Sequence, residues 1–479
     1  MSGLAELQLA LPEIFVAAMA CVVLVADLFV TEERRGLTHT LALLTLLFAG
    51  IITLRMMMPA GESMLAFSDT FVRDRFGDII KLFAYLVLIA VFVYAKFFLR
   101  AAGLFKGEFY SLSLFALLGV MIMASAGSLL TVYLGLELLA LSSYALVALN
   151  RDSAAGSEAG MKFFILGSLA SGILLYGMSL VYGATGTLAL GEISAALAGG
   201  LGDNPLLAFG LAFLVVGIGF KLGAVPFHMW LPDVYQGAPA AVTLLISSLP
   251  KLGYLSLAIR ILADGMGGLH ADWQAMLAVL AALSMILGNV VAIAQSNIKR
   301  MLAYSTIAHV GYLLLGILAG TAAGYAAATF YTIVYTMMSA GAFAVLIALS
   351  GDGIEAENLE DFKGLSRRNP WYALMMLMIM FSLAGIPVFV GFFAKWQVIA
   401  AAIQAGHLGL GVLAVVTAVI GAFYYLRVVK LMYFDEPDNP EPVIVPTDFR
   451  AVLSVNGLAM LGLGIFSGGL IGLCVSAFA

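Results

Sequence analysis

The sequence predicts an all-α polytopic membrane protein of about 14 transmembrane helices. Three observations carry that prediction. Of 479 residues, 63% are hydrophobic and only 11% charged, with a mean hydropathy of +1.06, which lies beyond the range of soluble domains. Apolar runs of about 20 residues, the length that crosses a bilayer core, recur from end to end. The longest polar gaps, at 58–76, 184–205, 351–370 and 434–448, leave no room for a soluble domain. The net charge of −5 comes with no basic tail or stripe. Nucleic acid is therefore not expected as a partner, and the medium is the lipid bilayer.

Taken in order, the spans fall near 9–30, 37–58, 77–98, 109–126, 128–149, 159–183, 206–228, 239–262, 273–294, 300–319, 322–350, 371–403, 407–433 and 449–477. The first is a full span with acidic Glu6 ahead of it and no basic segment, so it reads as a membrane helix rather than a cleaved signal. The run 371–403 is too long for one straight helix and holds Gly385 and Pro387 near its middle, so it reads as one broken helix. Pro226, in the seventh span, is expected to free the carbonyl of Leu222, and Pro250 that of Ile246. Cys21 and Cys474 lie in apolar runs at opposite ends and read as small buried hydrophobes.

Lysine and arginine bias sets the orientation. With the N-terminus outside, the inner loops carry Arg34, Arg35, Arg100, Lys106, Arg151, Lys299, Arg300, Lys363, Arg367 and Arg368, while the outer loops carry mainly Arg73 and Arg75. Both termini are therefore expected on the periplasmic side. The inner loop 351–370 mixes signs and reads as a structured surface segment or a contact for another subunit.

A faint repeat is visible. Gly223-Ala-Val-Pro226-Phe227 and Gly385-Ile-Pro387-Val-Phe389 are similar breaks in long apolar runs, with Lys221 and Lys395 nearby. They fall in the seventh and twelfth spans. A separation of five helices is odd, so successive units would insert with opposite topology, the pattern of inverted repeats built around a transport site. The chain then divides into helices 1–3 (1–107), a first repeat (108–263), a second inverted repeat (264–433) and a loop with the last helix (434–479).

Few ionisable residues lie deep in the spans: Glu137, Lys162, Lys221, Lys251 and Lys395, with Glu137 the only acid in the middle of any span. Such residues are costly in a bilayer, roughly 2.5–3.5 kcal/mol each on insertion scales, and face protein or water. A Lys–Glu contact at about 4 Å is worth about 4 kcal/mol at an effective dielectric near 20. Moving one charge across 100 mV costs about 2.3 kcal/mol. The two energies are comparable, so a row of these groups can move protons against a membrane potential. As a set, four lysines against one glutamate cannot all be neutralised as ion pairs, although Lys162 sits near the inner end of its span and can also snorkel. His228 and His309 are secondary relay candidates, against the plainer reading of packing histidines. Ser142, Ser143, Ser247, Ser248 and Tyr254 are candidates for ordering water between the charges. The sequence holds no P-loop, no GxGxxG after a strand and no recognisable iron–sulfur or haem spacing.

The stretches KLGAVPFHMWLPDVYQGAPAAVTLLISSLPKLGY and QSNIKRMLAYSTIAHVGYLLLGI resemble the antiporter-like membrane subunits of the proton-pumping NADH:quinone oxidoreductases, respiratory complex I. FFILGSLASGILLYGMSLVYGATGTL and SLAGIPVFVGFFAKWQVI are similar to the subunit N family in particular. The chain lacks the long lateral helix of subunit L, and Lys395 stands where subunit M is expected to carry a glutamate. The resemblance implies that Glu137 and Lys221 pair in a first half-channel, that Lys251 connects, that Lys395 serves the second half-channel and that Lys162 modulates the first. It implies no redox centre in this chain, with FMN, iron–sulfur clusters and quinone in partner subunits. It also implies other complex I membrane subunits as neighbours, in a bacterial inner membrane. A subunit of a multisubunit sodium/proton antiporter or membrane-bound hydrogenase, and a non-conducting scaffold, are the competing readings.

Overall fold

Inside a bilayer every backbone polar group must be satisfied within the chain, so the apolar runs become helices. The computed structural model describes residues 3–31, 34–351, 355–438 and 440–479. Its helices are α1 (Gly3–Leu9), α2 (Leu11–Asp27), α3 (Gly36–Arg55), α4 (Arg75–Ala101), α5 (Gly107–Ala124), α6 (Leu129–Val147), α7 (Ala154–Thr185), α8 (Leu190–Ala198), α9 (Pro205–Leu222) and α10 (Trp230–Gly237). They continue as α11 (Ala240–Ala258), α12 (His270–Ile293), α13 (Ile298–Leu318), α14 (Ala322–Leu349), α15 (Leu365–Arg368), α16 (Pro370–Ala384), α17 (Val390–Gln404), α18 (Leu408–Phe434), α19 (Thr447–Ile465) and α20 (Ser467–Val475). A short antiparallel hairpin, β1 (Ser63–Ala66) and β2 (Phe71–Asp74), precedes α4.

Among the described residues, twelve helices are long and apolar enough to span by themselves. The α1–α2 pair, bent by 73°, adds a thirteenth. The shorter apolar helices α16 and α17 complete the expected fourteen when read as one broken span. The protein is thus a multi-span helical membrane protein. Every residue of α11 is buried, and nearly all of α13 and α14, so these three form the centre. Helix α18 lies at the edge, with Val412, Val416, Val419 and Phe423 exposed.

Both broken spans carry the same punctuation. Asn204 and Asn369 cap their first halves through side-chain oxygens, and Pro205 and Pro370 follow at the first helical position, where a missing N–H costs nothing. Both first halves end at a glycine in the left-handed region, Gly223 at φ +84° and Gly385 at φ +83°. That conformation suits glycine and stops a helix.

Several expectations change. Helix α9 stops at Leu222, so Pro226 lies beyond its end and is not the residue that frees the Leu222 carbonyl; the left-handed turn at Gly223 does that. The gap 58–76 holds the β hairpin, the gap 184–205 holds α8, and the last span breaks at Phe466. Cys474 is buried, but Cys21 is exposed on the outer side of α2. Glu137 remains the one acid in mid-span, but Glu13 and Asp78, in the first turns of α2 and α4, are buried rather than reaching water.

The 351–370 loop, of which 352–354 lie outside the described residues, straps the chain's own helices. Glu355 accepts from the first N–H of α11, at Ala240, and its other oxygen lies 2.6 Å from the buried Lys299 of α13. Ile298 and Leu359 complete the strap through backbone bonds to Glu357 and Ser296.

Helices α12 and α13 touch backbone to backbone at Gly288, where an added Cβ would sit 2.5 Å from the nitrogen of Ala308. Replacing Gly288 with Leu is expected to overpack this contact and cost about 1–3 kcal/mol, read as a lower thermal unfolding midpoint of the solubilised protein; an unchanged midpoint would show that the two helices separate freely.

Candidate functional site: a row of buried lysines

The close pairing of α7 with α9 starts the row. Gly177 and Gly210 bring the two backbones together, and Gly217 packs on Leu174. This register turns Lys221, near the end of α9, toward α7. Its ammonium donates to Ser171 Oγ at 2.8 Å and to the Gly167 carbonyl at 3.5 Å. Lys221 is 3% exposed. Glu137 stands on the neighbouring α6, half-buried, and its Oε1 has no hydrogen-bond partner. No ion pair joins Glu137 to Lys221 among the described residues; the lysine takes Ser171 instead.

Helix ends leave carbonyls unpaired and carry partial negative charge. The end of α9 leaves the Leu222 carbonyl pointing at α11, and Lys251 donates to it at 3.3 Å. Lys251 is 2% exposed and lies 5.9 Å from the Tyr254 ring. The end of α9 therefore carries Lys221 and, one residue on, the carbonyl that holds Lys251, while the Lys221 ammonium itself turns to α7. The end of α16 repeats the arrangement. Lys395, one turn into α17, reaches back to the Leu383 and Ala384 carbonyls at 2.9 and 3.0 Å. It also lies 5.1 Å from the Tyr312 ring. In the break, Val388 holds φ +81°, a strained conformation for a β-branched residue.

Between these two helix ends lies a ring cluster. His309 is 3% exposed; its Nδ1 lies 2.7 Å from the Tyr331 hydroxyl and its Nε2 3.1 Å from that of Tyr425. Tyr312 sits beside it, with ring centroids 6.1 Å apart, and bonds to Thr417. His309 is thus both packed and fully bonded, and Tyr312 links it sideways to Lys395. No hydrogen bond among the described residues carries the chain on from His309 to Lys251.

The remaining candidates lie apart. His228 falls in the break after α9, half-buried, with its Nδ1 unpartnered. Lys162 is near the start of α7, where it pairs with Glu158 and Asp233, each at 2.9 Å, and keeps 42% of its side chain exposed. Asp233, on α10, also holds Arg300 of α13 at 2.8 Å. Ser142, Ser143, Ser247 and Ser248 each bond to a carbonyl of their own helix.

Ser171, Tyr331 and Tyr425 escaped the sequence reading. Ser171 had a signal: Gly167, Ala170, Ser171, Leu174 and Gly177 recur at three- and four-residue steps, the small-residue face of a packed membrane helix. Asp233 was readable too, since it is the only acid between the break at Gly223 and α11.

Residues 126–421 match the family model described as NADH:quinone oxidoreductase/Mrp antiporter, TM. The chain is 55% identical over 470 residues to an NADH-quinone oxidoreductase subunit N of Thioalkalivibrio sulfidiphilus, covering 98% of each chain. It is 54% identical to the protein of that name from Acidithiobacillus ferrooxidans, covering 98% of this chain and 97% of the other. Among solved structures it resembles a chain of respiratory complex I from Thermus thermophilus with bound aureothin, at 34% identity and a TM-score of 0.81, covering 96% and 98%. A chain of the Mrp complex from Dietzia shares the fold at a TM-score of 0.87 and 23% identity, covering 100% of this chain and 97% of that one.

The Lys162–Asp233–Arg300 link has a pH signature. Burial acts to raise the Asp233 carboxyl, but hydrogen bonds from Lys162 and Arg300 outweigh it and hold it below the ordinary carboxylate value. A lowered folded value adds stability that is present above the unfolded value of about 3.9 and is lost as the pH falls through the folded one. Wild type should therefore melt above Asp233→Asn at neutral pH, and the gap should close below roughly pH 4 as the carboxyl protonates. A gap that persists there would mean that Asp233 acts through packing.

Proposed function

The chain belongs to the NADH-quinone oxidoreductase subunit N family, and on that premise we propose that Lys221, Lys251 and Lys395, with Glu137, carry its protons. The protein is a proton-translocating membrane subunit of NADH:quinone oxidoreductase. The observation that supports this residue assignment is the state of the three lysines. Each ammonium is buried, and none has a carboxylate within 4 Å among the described residues. Each rests on neutral acceptors: Ser171, the Leu222 carbonyl, or the Leu383 and Ala384 carbonyls.

A structural ion pair fixes both charges. A lysine held only by neutral acceptors keeps no permanent counter-ion, so a modest change of surroundings decides whether it holds its proton. The approach of one carboxylate to about 4 Å supplies about 4 kcal/mol at an effective dielectric near 20. That exceeds the roughly 2.3 kcal/mol needed to move one charge across 100 mV. Glu137 is the group suited to that approach: it stands on the helix beside Lys221 with one oxygen free. In this reading Lys221 loads when Glu137 draws near, Lys251 takes the proton at the shared end of α9, and Lys395 releases it beyond the ring cluster around His309. His228 and Lys162 are assigned accessory roles, as a water-side relay and a modulator of the first half.

The division into an N-terminal unit (1–107), two inverted halves (108–263 and 264–433) and a final segment (434–479) belongs to the same proposal. Its support is the matched Asn-Pro start and left-handed glycine end of α9 and α16. The excess of lysine and arginine in alternate loops supports both termini on the outer side of a bacterial inner membrane. FMN, iron–sulfur clusters and quinone belong to partner subunits, and other antiporter-like and small membrane subunits pack beside the chain.

If the assignment is right, complex carrying Lys221→Ala or Lys395→Ala should assemble but lose most NADH-driven proton uptake in inside-out vesicles, and Lys221→Arg should keep more than Lys221→Ala. Lys162→Ala should be milder than either. Full proton uptake per NADH in assembled Lys395→Ala complex would sink the proposal. Co-purification of NADH dehydrogenase activity with the tagged chain tests membership of the complex itself.

A further inference from the structure

A second set of buried charges lies far from the lysine row, at the end of the molecule where α2 and α4 begin. Lys81 of α4 is fully buried and its Nζ sits 2.6 Å from Glu13 Oε1 of α2. Asp78 lies 3.9 Å from the same Nζ and 3.2 Å from Arg73, both fully buried. The Met58 N–H also donates to Asp78, Arg73 donates to the Leu9 carbonyl, and Ser125, just past the end of α5, donates to Glu13 Oε1. Two cations and two anions are thus enclosed by four elements. Glu13 is 7% exposed, yet its Oε2 has no hydrogen-bond partner. Inward along α4, one turn from Lys81, the Tyr85 hydroxyl meets that of Thr53.

What covers this cluster is thin. Helix α1 and the β hairpin close over it through a small apolar group of their own: Leu9, Ala10, Ala66 and Phe71. The Phe71 ring stands 5.7 Å from the Lys81 ammonium. The hairpin turn holds three successive non-glycine residues in the left-handed region, Phe67, Ser68 and Asp69. Such a run stores strain and persists only where neighbours enforce it. The neighbours here are two backbone bonds to the α5–α6 turn, from Val72 to Ser125 and from Gly127 to Thr70. Beside the hairpin a cleft of about 250 Å³ opens onto Arg260 and Asp264. Arg260 in turn holds Asp74, next in sequence to Arg73, at 2.8 Å.

We propose that the Glu13–Lys81 pair, beneath the cap made by α1 and the β hairpin, is a proton-exchange site open to the outer water when that cap lifts. The inference rests on the orientation argued above. In the exchange, the Lys81 ammonium gives its proton to the Glu13 carboxylate, leaving a neutral amine and a neutral acid. Glu13 then gives that proton to outer water and becomes carboxylate again, and Lys81 regains one from the interior, where Tyr85 is the nearest hydroxyl along its own helix. Asp78 and Arg73 stay paired throughout, so the site is one charge more negative only between release from Glu13 and reprotonation of Lys81. Lys81 delivers the proton to Glu13 Oε1, so the neutral carboxyl rotates to bring that O–H to the unpartnered position of Oε2, from which the proton leaves.

The test uses the whole complex in membrane vesicles. Glu13→Gln should leave the complex assembled and lower the proton yield per NADH severalfold. The double variant Glu13→Gln/Lys81→Met removes the pair without stranding a charge, so it protects against loss of assembly. It should stay as defective as the single variant. A normal proton yield in either assembled variant overturns the proposal and makes the cluster a clamp, while loss of yield in Lys395→Ala would still support the lysine row. Independently, Ser125→Cys, beside Glu13, should react with a small membrane-impermeant thiol reagent from the outer face, and faster during NADH oxidation than at rest. No reaction in either state overturns the lifting cap, and reaction only from the inner face overturns the orientation.

Discussion

The structure depends on carbonyls that no helix can satisfy. In a hydrocarbon medium an unpaired backbone carbonyl costs several kcal/mol, roughly, so every helix end inside the bilayer must find a donor. The two broken spans create such ends deliberately, at Gly223 and Gly385. Lysine is the donor in both places, and it suits them for a second reason: the negative end of a helix dipole favours a cation by about 0.3–1 kcal/mol or more when partly buried. A defect in the backbone and a defect in the hydrophobic pattern thus cancel one another. Neither would be tolerated alone, which ties the position of each buried charge to the position of each break.

The same chain uses charges in a second way. Lys299 with Glu355, Arg260 with Asp74, and Arg300 with Asp233 are ion pairs made between elements distant in sequence. They fasten the loop after α14 to α11 and α13, the segment after α11 to the start of α4, and α10 to α13. These pairs lie at helix ends, whereas the unpaired lysines lie within the membrane-spanning body. The contrast is energetic. A paired charge is locked by its partner, while a lysine resting on carbonyls can lose its proton and leave behind acceptors that water satisfies.

Much of this was legible in the sequence, for reasons particular residues make clear. Spans are readable because length and hydropathy alone decide them, and the break at Gly385 shows because 371–403 is too long for one helix. Lys221, Lys251 and Lys395 stand out because each sits mid-run among apolar neighbours. What hydropathy cannot show is which face turns inward, since lipid and protein interior are equally apolar. Hence Cys21, expected inside, lies outside, and α11 and α18 read alike although one is wholly buried and the other half exposed. Glu13, Arg73, Asp78 and Lys81 were passed over because they lie within a few residues of span ends, where long side chains ordinarily snorkel to water. The hairpin and α1, folded over that end, remove the water. Ser171 as the partner of Lys221, in place of Glu137, depends on the rotation of α7 against α9, which no single-helix pattern contains.

The two halves match in punctuation but not in wiring. Lys395 turns back onto the carbonyls of its own break, whereas Lys221 turns away from its break toward Ser171, and Lys251 of the next helix fills the vacant carbonyl. One lysine does in the second half what two divide between them in the first. At the end of α9 the two tasks are split: Lys251 satisfies the Leu222 carbonyl, while Lys221 holds Ser171 on the neighbouring helix. The break of the second half is therefore closed by a residue of its own span, whereas the break of the first ties α7, α9 and α11 to one another.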